Sequence, residues 1–375
     1  MNRLSSVLQG LGIGTRALLD RHHPILAQIV PIRRCNLACG YCNEYDKVSP
    51  PVPTSNVRAW IDKLADLRTE IVTLSGGEPM LHPDVEALIA RIRERKMIAG
   101  LITNGYFLQR ERIEALDAAG LQYLQISIDN VRPDEVSKKS LAVLDGKLEN
   151  LARYAKFQVN VNSVLGGGCR NPEDALAIAR RAKELGFSTS IGIIHDGSGH
   201  LTALAPRERE VYDEVVAISA GVYTRINRFQ QNLVEGKPNT WSCRAGARYL
   251  YICESGLVHY CSQQRGYPGT PLADYTRDDI VREFDTQKSC APYCTIGCVH
   301  RASSLDRWRG SQKQLPSPAA STLVTLGTRT RHEPQVVDQD GPGLSHAGDP
   351  VPGHHAAARQ PTGDAVHHQG AGESL

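Results

Sequence analysis

Short apolar runs alternate with amphipathic stretches from about residue 25 to residue 220. "ILAQIVPI" reads as a strand, and "SNVRAWIDKLADL" as a helix with a polar start at Ser55. "EIVTLSGG" is a second strand, followed by "DVEALIARIRERK", in which Val85, Leu88, Ile89 and Ile92 recur at i, i+3, i+4 and i+7. "IAGLITNG" and "LQYLQISID" are further strands, separated by the helix "RERIEALDAAG". Leu141, Leu144, Leu148 and Leu151 then mark one face of a helix that leads into the strand "FQVNVNSVLGGG". In "NPEDALAIARRAKELG", Asn171 is the expected N-cap, Pro172 the first helical residue and Gly186 the residue past the end. "FSTSIGII" and "PREREVYDEVVAIS" make a sixth strand and helix. Strands joined by single helices build a parallel sheet, and right-handed repetition coils it into an open or closed barrel.

Composition sets the boundaries of that pattern. The chain has 375 residues, with 41% hydrophobic and 22% charged, which is ordinary for a globular protein. Lys and Arg number 43 against 40 Asp and Glu, an excess of three that gives no footing for nucleic acid or an anionic membrane. No apolar run reaches the roughly 18 residues of a spanning helix, and the first 25 residues lack a signal-peptide core, so a cytoplasmic location is expected. Cysteines there stay reduced, and clusters of them point to metal. From Ser311 onward there is no Cys, Phe, Tyr or Trp; Gly, Pro, His and Ala recur without period, and a disordered low-complexity tail is expected over 311–375.

Chemistry in such a sheet belongs at the carboxyl ends of the strands, and the distinctive residues fall there. "RRCNLACGYC" follows the first strand and carries Cys35, Cys39 and Cys42 as C-x3-C-x2-C. Gly76, Gly77, Glu78 and Pro79 end the second strand, Thr103 and Asn104 the third, and Ser127 and Asp129 the fourth. Asn162 lies late in the fifth, and His195, Asp196 and His200 follow the sixth. Three thiolates fill three corners of a cubane and leave one iron open, whereas structural zinc wants four ligands in a closed shell. The spacing alone admits either.

C-x3-C-x2-C after the first strand, Tyr41 before the last cysteine, and "GGEP" at the second strand end together resemble the radical S-adenosylmethionine (radical SAM) superfamily over about residues 25–220. The resemblance implies a partial (β/α)6 TIM-like barrel of α/β class. It implies a [4Fe-4S] cluster on Cys35, Cys39 and Cys42, with S-adenosylmethionine chelating the open iron. By the same likeness, Gly76 and Gly77 let backbone approach the methionyl ammonium, Glu78 offers it a carboxylate and Pro79 stiffens the turn. Tyr41 is expected near adenine, Ser127 and Asp129 at the ribose or sulfonium side, Asn162 at the ribose or carboxylate, and Thr103 and Asn104 on the floor. Reductive cleavage of the cofactor to a 5′-deoxyadenosyl radical and hydrogen abstraction from a substrate follow, with flavodoxin or ferredoxin as electron donor.

The region after 240 carries a second cysteine group. "WSCRAGARYLYICESGLVHYCSQQ" reads as two strands around "ESG", with Cys243 before the hairpin and Cys261 at its end, and "CAPYCTIGC" adds Cys290, Cys294 and Cys298. This pattern resembles the SPASM and twitch extensions of radical SAM enzymes. It implies one auxiliary [4Fe-4S] cluster on Cys243, Cys261 and two of the other three; zinc is the structural alternative. The expected organisation is an N-terminal helical segment (1–24), the barrel (25–222), a cysteine-rich β-hairpin/α extension (223–310) and the tail. His195, Asp196 and His200 are candidates to accept a proton or to bind a polar substrate, and Cys169 is a candidate hydrogen donor. Glu44, Tyr45 and Asp46 either face the same cavity or form a solvated connection. The substrate class is a peptide or a small metabolite; a noncatalytic electron carrier or a zinc-stabilised binding protein is the alternative.

Overall fold

The computed structural model describes residues 12–167, 171–194, 202–219 and 229–307. Six strands lie in sequence order and in parallel: β1 (Leu26–Ile32), β2 (Ile71–Gly76), β3 (Ile98–Thr103), β4 (Tyr123–Ser127), β5 (Gln158–Leu165) and β6 (Ser188–Ile193). Helices α1 (Thr54–Asp66), α2 (Val85–Glu94), α3 (Arg110–Ala118), α4 (Leu141–Tyr154) and α5 (Glu173–Glu184) connect them, and α6 (Pro206–Ile218) follows β6. Sequential order with a helix per crossover is the expected partial barrel. The periodic residues bury as predicted on α2 (Val85, Leu88, Ile89 and Ile92) and, on α4, at Leu144, Leu148 and Leu151, while Leu141 at the start of α4 is only half-buried. Helix α1 starts one residue early, after Pro53, and α5 one residue late, with Pro172 itself at the N-cap.

Side chains alternate across each strand, so each has a helix-facing set and an opposite set. Ala27, Ile29, Val72, Leu74, Ala99, Leu101, Val159 and Val161 join the helices in the main core. The opposite set is polar on β5 and β6. Ser188, Asn160, Ser190 and Asn162 form a hydrogen-bonded ladder there, with Asn160 donating to Ser190 (2.8 Å) and Ser190 to Asn162 (2.8 Å).

The cysteine-rich extension continues the same sheet. Strand β7 (Tyr249–Ile252) pairs in parallel with β1, placing Leu26 opposite Tyr249 and Gln28 opposite Tyr251. Strands β8 (Leu257–His259) and β9 (Pro268–Pro271) add on antiparallel, so "ESG" does close a hairpin. Among the described residues, α7 (Phe229–Val234) lies before β7, and α8 (Arg277–Asp285) and α9 (Gly297–Ser304) follow. Tyr249 and Tyr251 project from β7 into a second apolar cluster with Val30, Cys243, Cys261, Ala291 and Val299. Arg248 is wholly buried and ties the ends of this unit together. It pairs with Asp306 (2.7 Å) and donates to the carbonyls of Ala17, Asp20 and His23. Removing one member of such a buried pair costs about 3–5 kcal/mol.

Candidate active site

Cys35, Cys39 and Cys42 lie on the loop leaving β1. Its base is closed by Cys35 N–H donating to Asp46 O (3.0 Å) and Asp46 N–H to Arg33 O (3.1 Å), and its tip by a turn from Cys42 N–H to Cys39 O (3.1 Å). Burial pushes the Cys35 thiol up and the Cys42 thiol up to about 11, and Cys39 lies near enough to both to add to the effect. Metal capture there must displace protons.

The GGEP turn is packed against the root of this loop. A Cβ on Gly77 would stand 2.2 Å from Arg33 O, and one on Gly76, whose φ is +112°, would stand 2.5 Å from Val30 Cγ1. Their bareness therefore serves first the crossing of two backbones, Gly77 N–H meeting Ile32 O and Glu78 N–H meeting Arg34 O. Glu78 is fully buried and accepts from Met80 N–H (3.0 Å), Thr103 Oγ1 (2.8 Å) and Asn104 N–H (2.8 Å). Burial nevertheless pushes its carboxyl up to about 7. Pro79 opens the short 3-10 turn that Glu78 caps. Asn104 links the two motifs, its amide donating to Asn36 Oδ1 (2.7 Å) and toward Cys35 Sγ (3.7 Å).

The connection from β4 to α4 grips the loop from the other side. Gly40 N–H donates to Val136 O (2.9 Å), and Ser137 Oγ lies 3.5 Å from Cys39 Sγ while donating to Asp129 Oδ2 (2.7 Å). The Tyr41 hydroxyl donates to the same oxygen (2.6 Å), and the Lys139 ammonium reaches Tyr41 (2.5 Å) and Asp129 (3.0 Å). Burial alone would depress Lys139, but Asp129 and Tyr41 hold it well above its ordinary value. Asp129 Oδ1 is buried without a hydrogen-bond partner beside this loop, an acceptor suited to a ligand hydroxyl. Ser127 stands opposite Asn162 in the β4–β5 register, and Asn162 is already engaged by Ser190. Ser137 and Lys139 had no signal in the sequence, since no period or motif marks the segment they sit on. Cys169, His195, Asp196 and His200 lie outside the described residues.

In the extension, burial pushes Cys243 up to about 11 and Cys261 up to about 12. Cys294 is raised well above its ordinary value by burial, then by Cys243, Cys261 and Cys290 nearby. These four thiols share one neighbourhood. The Cys298 sulfur accepts from Gln28 Nε2 on β1 (3.6 Å), and Cys253 is buried at the β7–β8 turn. His300 on α9 is stacked between Phe229 and Trp241 and holds the Cys294 carbonyl (2.9 Å), which fixes the cysteine knuckle against the barrel end. Among the described residues no three Cys, His, Asp or Glu side chains close around a single ion. The all-thiol donor sets suit iron-sulfur clusters.

Residues 29–200 match the Radical SAM superfamily. The AdoMet-dependent heme synthase of Nitratidesulfovibrio vulgaris is 32% identical over 302 residues, covering 70% of this chain and 81% of that protein. The GTP 3′,8-cyclase of Aquifex aeolicus is 35% identical over 167 residues, 41% of this chain; the chain thus spans about half of the cyclase, 52% of its length. Among solved structures, Streptococcus suis SuiB bound to precursor peptide SuiA superposes with a TM-score of 0.53 at 16% identity, covering 84% of this chain and 82% of that one, a likeness of fold. The chain belongs to the radical SAM superfamily, whose cofactors are a [4Fe-4S] cluster and S-adenosylmethionine.

Proposed function

We propose that Cys35, Cys39 and Cys42 hold the [4Fe-4S] cluster whose open iron takes S-adenosylmethionine, and that the enzyme modifies a peptide or small metabolite by hydrogen abstraction. When bound, the cluster and cofactor supply reductive cleavage to a 5′-deoxyadenosyl radical, which takes a hydrogen atom from the substrate. The observation that carries this reading is the three-thiol loop lodged between the GGEP turn and the Val136–Lys139 clamp. Gly76, Gly77, Glu78 and Pro79 hold the root of that loop, and Thr103 and Asn104 brace Glu78. Asp129 offers Oδ1 to a ribose hydroxyl while Tyr41 holds its other oxygen, and Ser127 and Asn162 stand paired at the ends of the neighbouring strands.

Cys243, Cys261, Cys290 and Cys294 are the proposed ligands of the auxiliary cluster, which would supply an acceptor for an electron from the substrate radical. A flavodoxin or ferredoxin in a reducing cytoplasm supplies the first electron. The same S-adenosylmethionine chemistry serves either substrate class. The fold's likeness to SuiB, which was solved with a precursor peptide, favours a peptide, and the long match to a heme synthase favours a small molecule.

Anaerobic reconstitution followed by reduction in the presence of S-adenosylmethionine tests the proposal. Formation of 5′-deoxyadenosine by the parent, and its loss in Cys35→Ala, Cys39→Ala and Cys42→Ala, is expected. Cluster-loaded parent protein that yields none would overturn it.

A further inference from the structure

The loop does not end at its third cysteine. Two residues past Cys42, Glu44 turns its carboxylate toward the extension, where the hydroxyl of Tyr251 on β7 donates to Oε2. Arg265, beyond β8, lies over the Tyr251 ring and places a guanidinium nitrogen 3.9 Å from Glu44 Oε1. Arg265 is itself clamped at 2.7 Å by both oxygens of Glu254 in the β7–β8 turn. Glu254 reaches back to Arg33 (3.3 Å), which carries the Asn43 carbonyl (3.3 Å) and pairs with Asp46 (3.7 Å). Asn43 also donates to Gln263 (3.4 Å). Charges alternate along this circuit, from Asp46 through Arg33, Glu254 and Arg265 to Glu44. It starts and ends on the cysteine loop and passes through the extension.

The circuit is too specific to be an incidental surface pairing. Glu44 and Arg265 are both largely buried, and Glu44 Oε1 and Arg265 Nη1 have no hydrogen-bond partner beyond their mutual approach. Groups so desolvated are held in place by the partners they do have, and a small displacement costs them those partners. Tyr251 sits opposite Gln28 in an unbroken β1–β7 register, so its backbone is fixed by the sheet. The third-cysteine end of the loop is thus referenced to β7, and the first-cysteine end to β1 itself.

We infer that Tyr251 and Arg265 are positioning residues for the S-adenosylmethionine site: they hold the Cys42–Glu44 end of the cluster loop, so the extension sets the geometry at the first cluster as well as carrying its own. This rests on the radical reading above. Neither residue offers a thiol, so neither removes a ligand when changed. Outer contacts of this type are worth roughly 10–100-fold in affinity or activity when lost.

The test is Tyr251→Phe, which deletes one hydroxyl from a buried ring, with Arg265→Met as a second variant. Both are reconstituted as full chains, analysed for iron and sulfide, and titrated with S-adenosylmethionine while the electron paramagnetic resonance signal of the reduced cluster is followed. Parent-like iron and sulfide with an S-adenosylmethionine Kd weakened about tenfold is expected. In a Glu44→Gln background the Tyr251→Phe effect should shrink, since both changes cut the same link. Parent-like Kd and line shape in both variants would overturn the inference. A parent whose signal does not respond to S-adenosylmethionine at all would instead overturn the radical reading on which it stands.

Discussion

Three donors converge on the buried carboxylate of Glu78, two backbone amides and the Thr103 hydroxyl. An amide in its place turns an NH2 toward at least one of them, and leaving a buried donor unpaired costs about 1–3 kcal/mol. Glu78→Gln should therefore lower the unfolding free energy of the cofactor-free protein by that amount. The pH dependence follows from the raised carboxyl. Its folded value of about 7 stands above the ordinary 4.5, so its contribution is fully present below 4.5 and is lost as pH rises through about 7. The parent's advantage over the glutamine variant should be largest in mild acid and shrink toward alkaline pH, as denaturant titrations across that range would read. Glu78 was legible as a motif residue because Gly-Gly-Glu-Pro at a strand end is distinctive. Its inward-facing bonds were not, because Thr103 and Asn104 approach it from another strand.

The end of β2 and the chain leaving β1 cross as two bare backbones. Gly77→Ala would force a methyl within 2.2 Å of Arg33 O and 2.5 Å of Arg34 O, neither of which is the tip of a flexible side chain. Overpacking of this kind costs about 1–3 kcal/mol, and here the strain falls on the loop that carries the thiols. Reduced iron incorporation together with a lower Tm is expected. Gly40→Ala, whose new methyl would meet nothing closer than Val136 O at 3.9 Å, should load normally. Iron analysis and thermal melts of the two variants side by side check the contrast. The elements themselves were readable because the helix period at Val85–Ile92 and the apolar strand runs obey local rules. The clamp from Val136 to Lys139 was not readable, since its contacts join a connection without period to a loop some hundred positions earlier.

At the scale of the molecule, the extension and knuckle cysteines divide. Cys243, Cys261, Cys290 and Cys294 share one neighbourhood, and Cys298 is turned to Gln28 on β1. Cys294→Ser should lose about half of the bound iron, the share of one [4Fe-4S] cluster in two, whereas Cys298→Ser should keep both. Iron and sulfide determination distinguishes them. Spacing alone left Cys290, Cys294 and Cys298 equivalent, because C-x3-C-x3-C does not say which way the knuckle faces. The barrel was legible from its alternation; the return of β7 to the edge of β1 was not, since strand partners distant in sequence leave no local mark.

That pairing of β7 with β1 has a consequence for how the chain is made. The first strand of the barrel leaves the ribosome with its outer edge open, and its partner on that side is not synthesised until Tyr249–Ile252 emerges. Until then Ile29 and its neighbours present unpaired amides and carbonyls beside apolar side chains, the arrangement that templates aggregation. Such a long-range pairing also closes slowly. A protein cut after the barrel would keep that open edge permanently, so the extension doubles as the barrel's own folding partner.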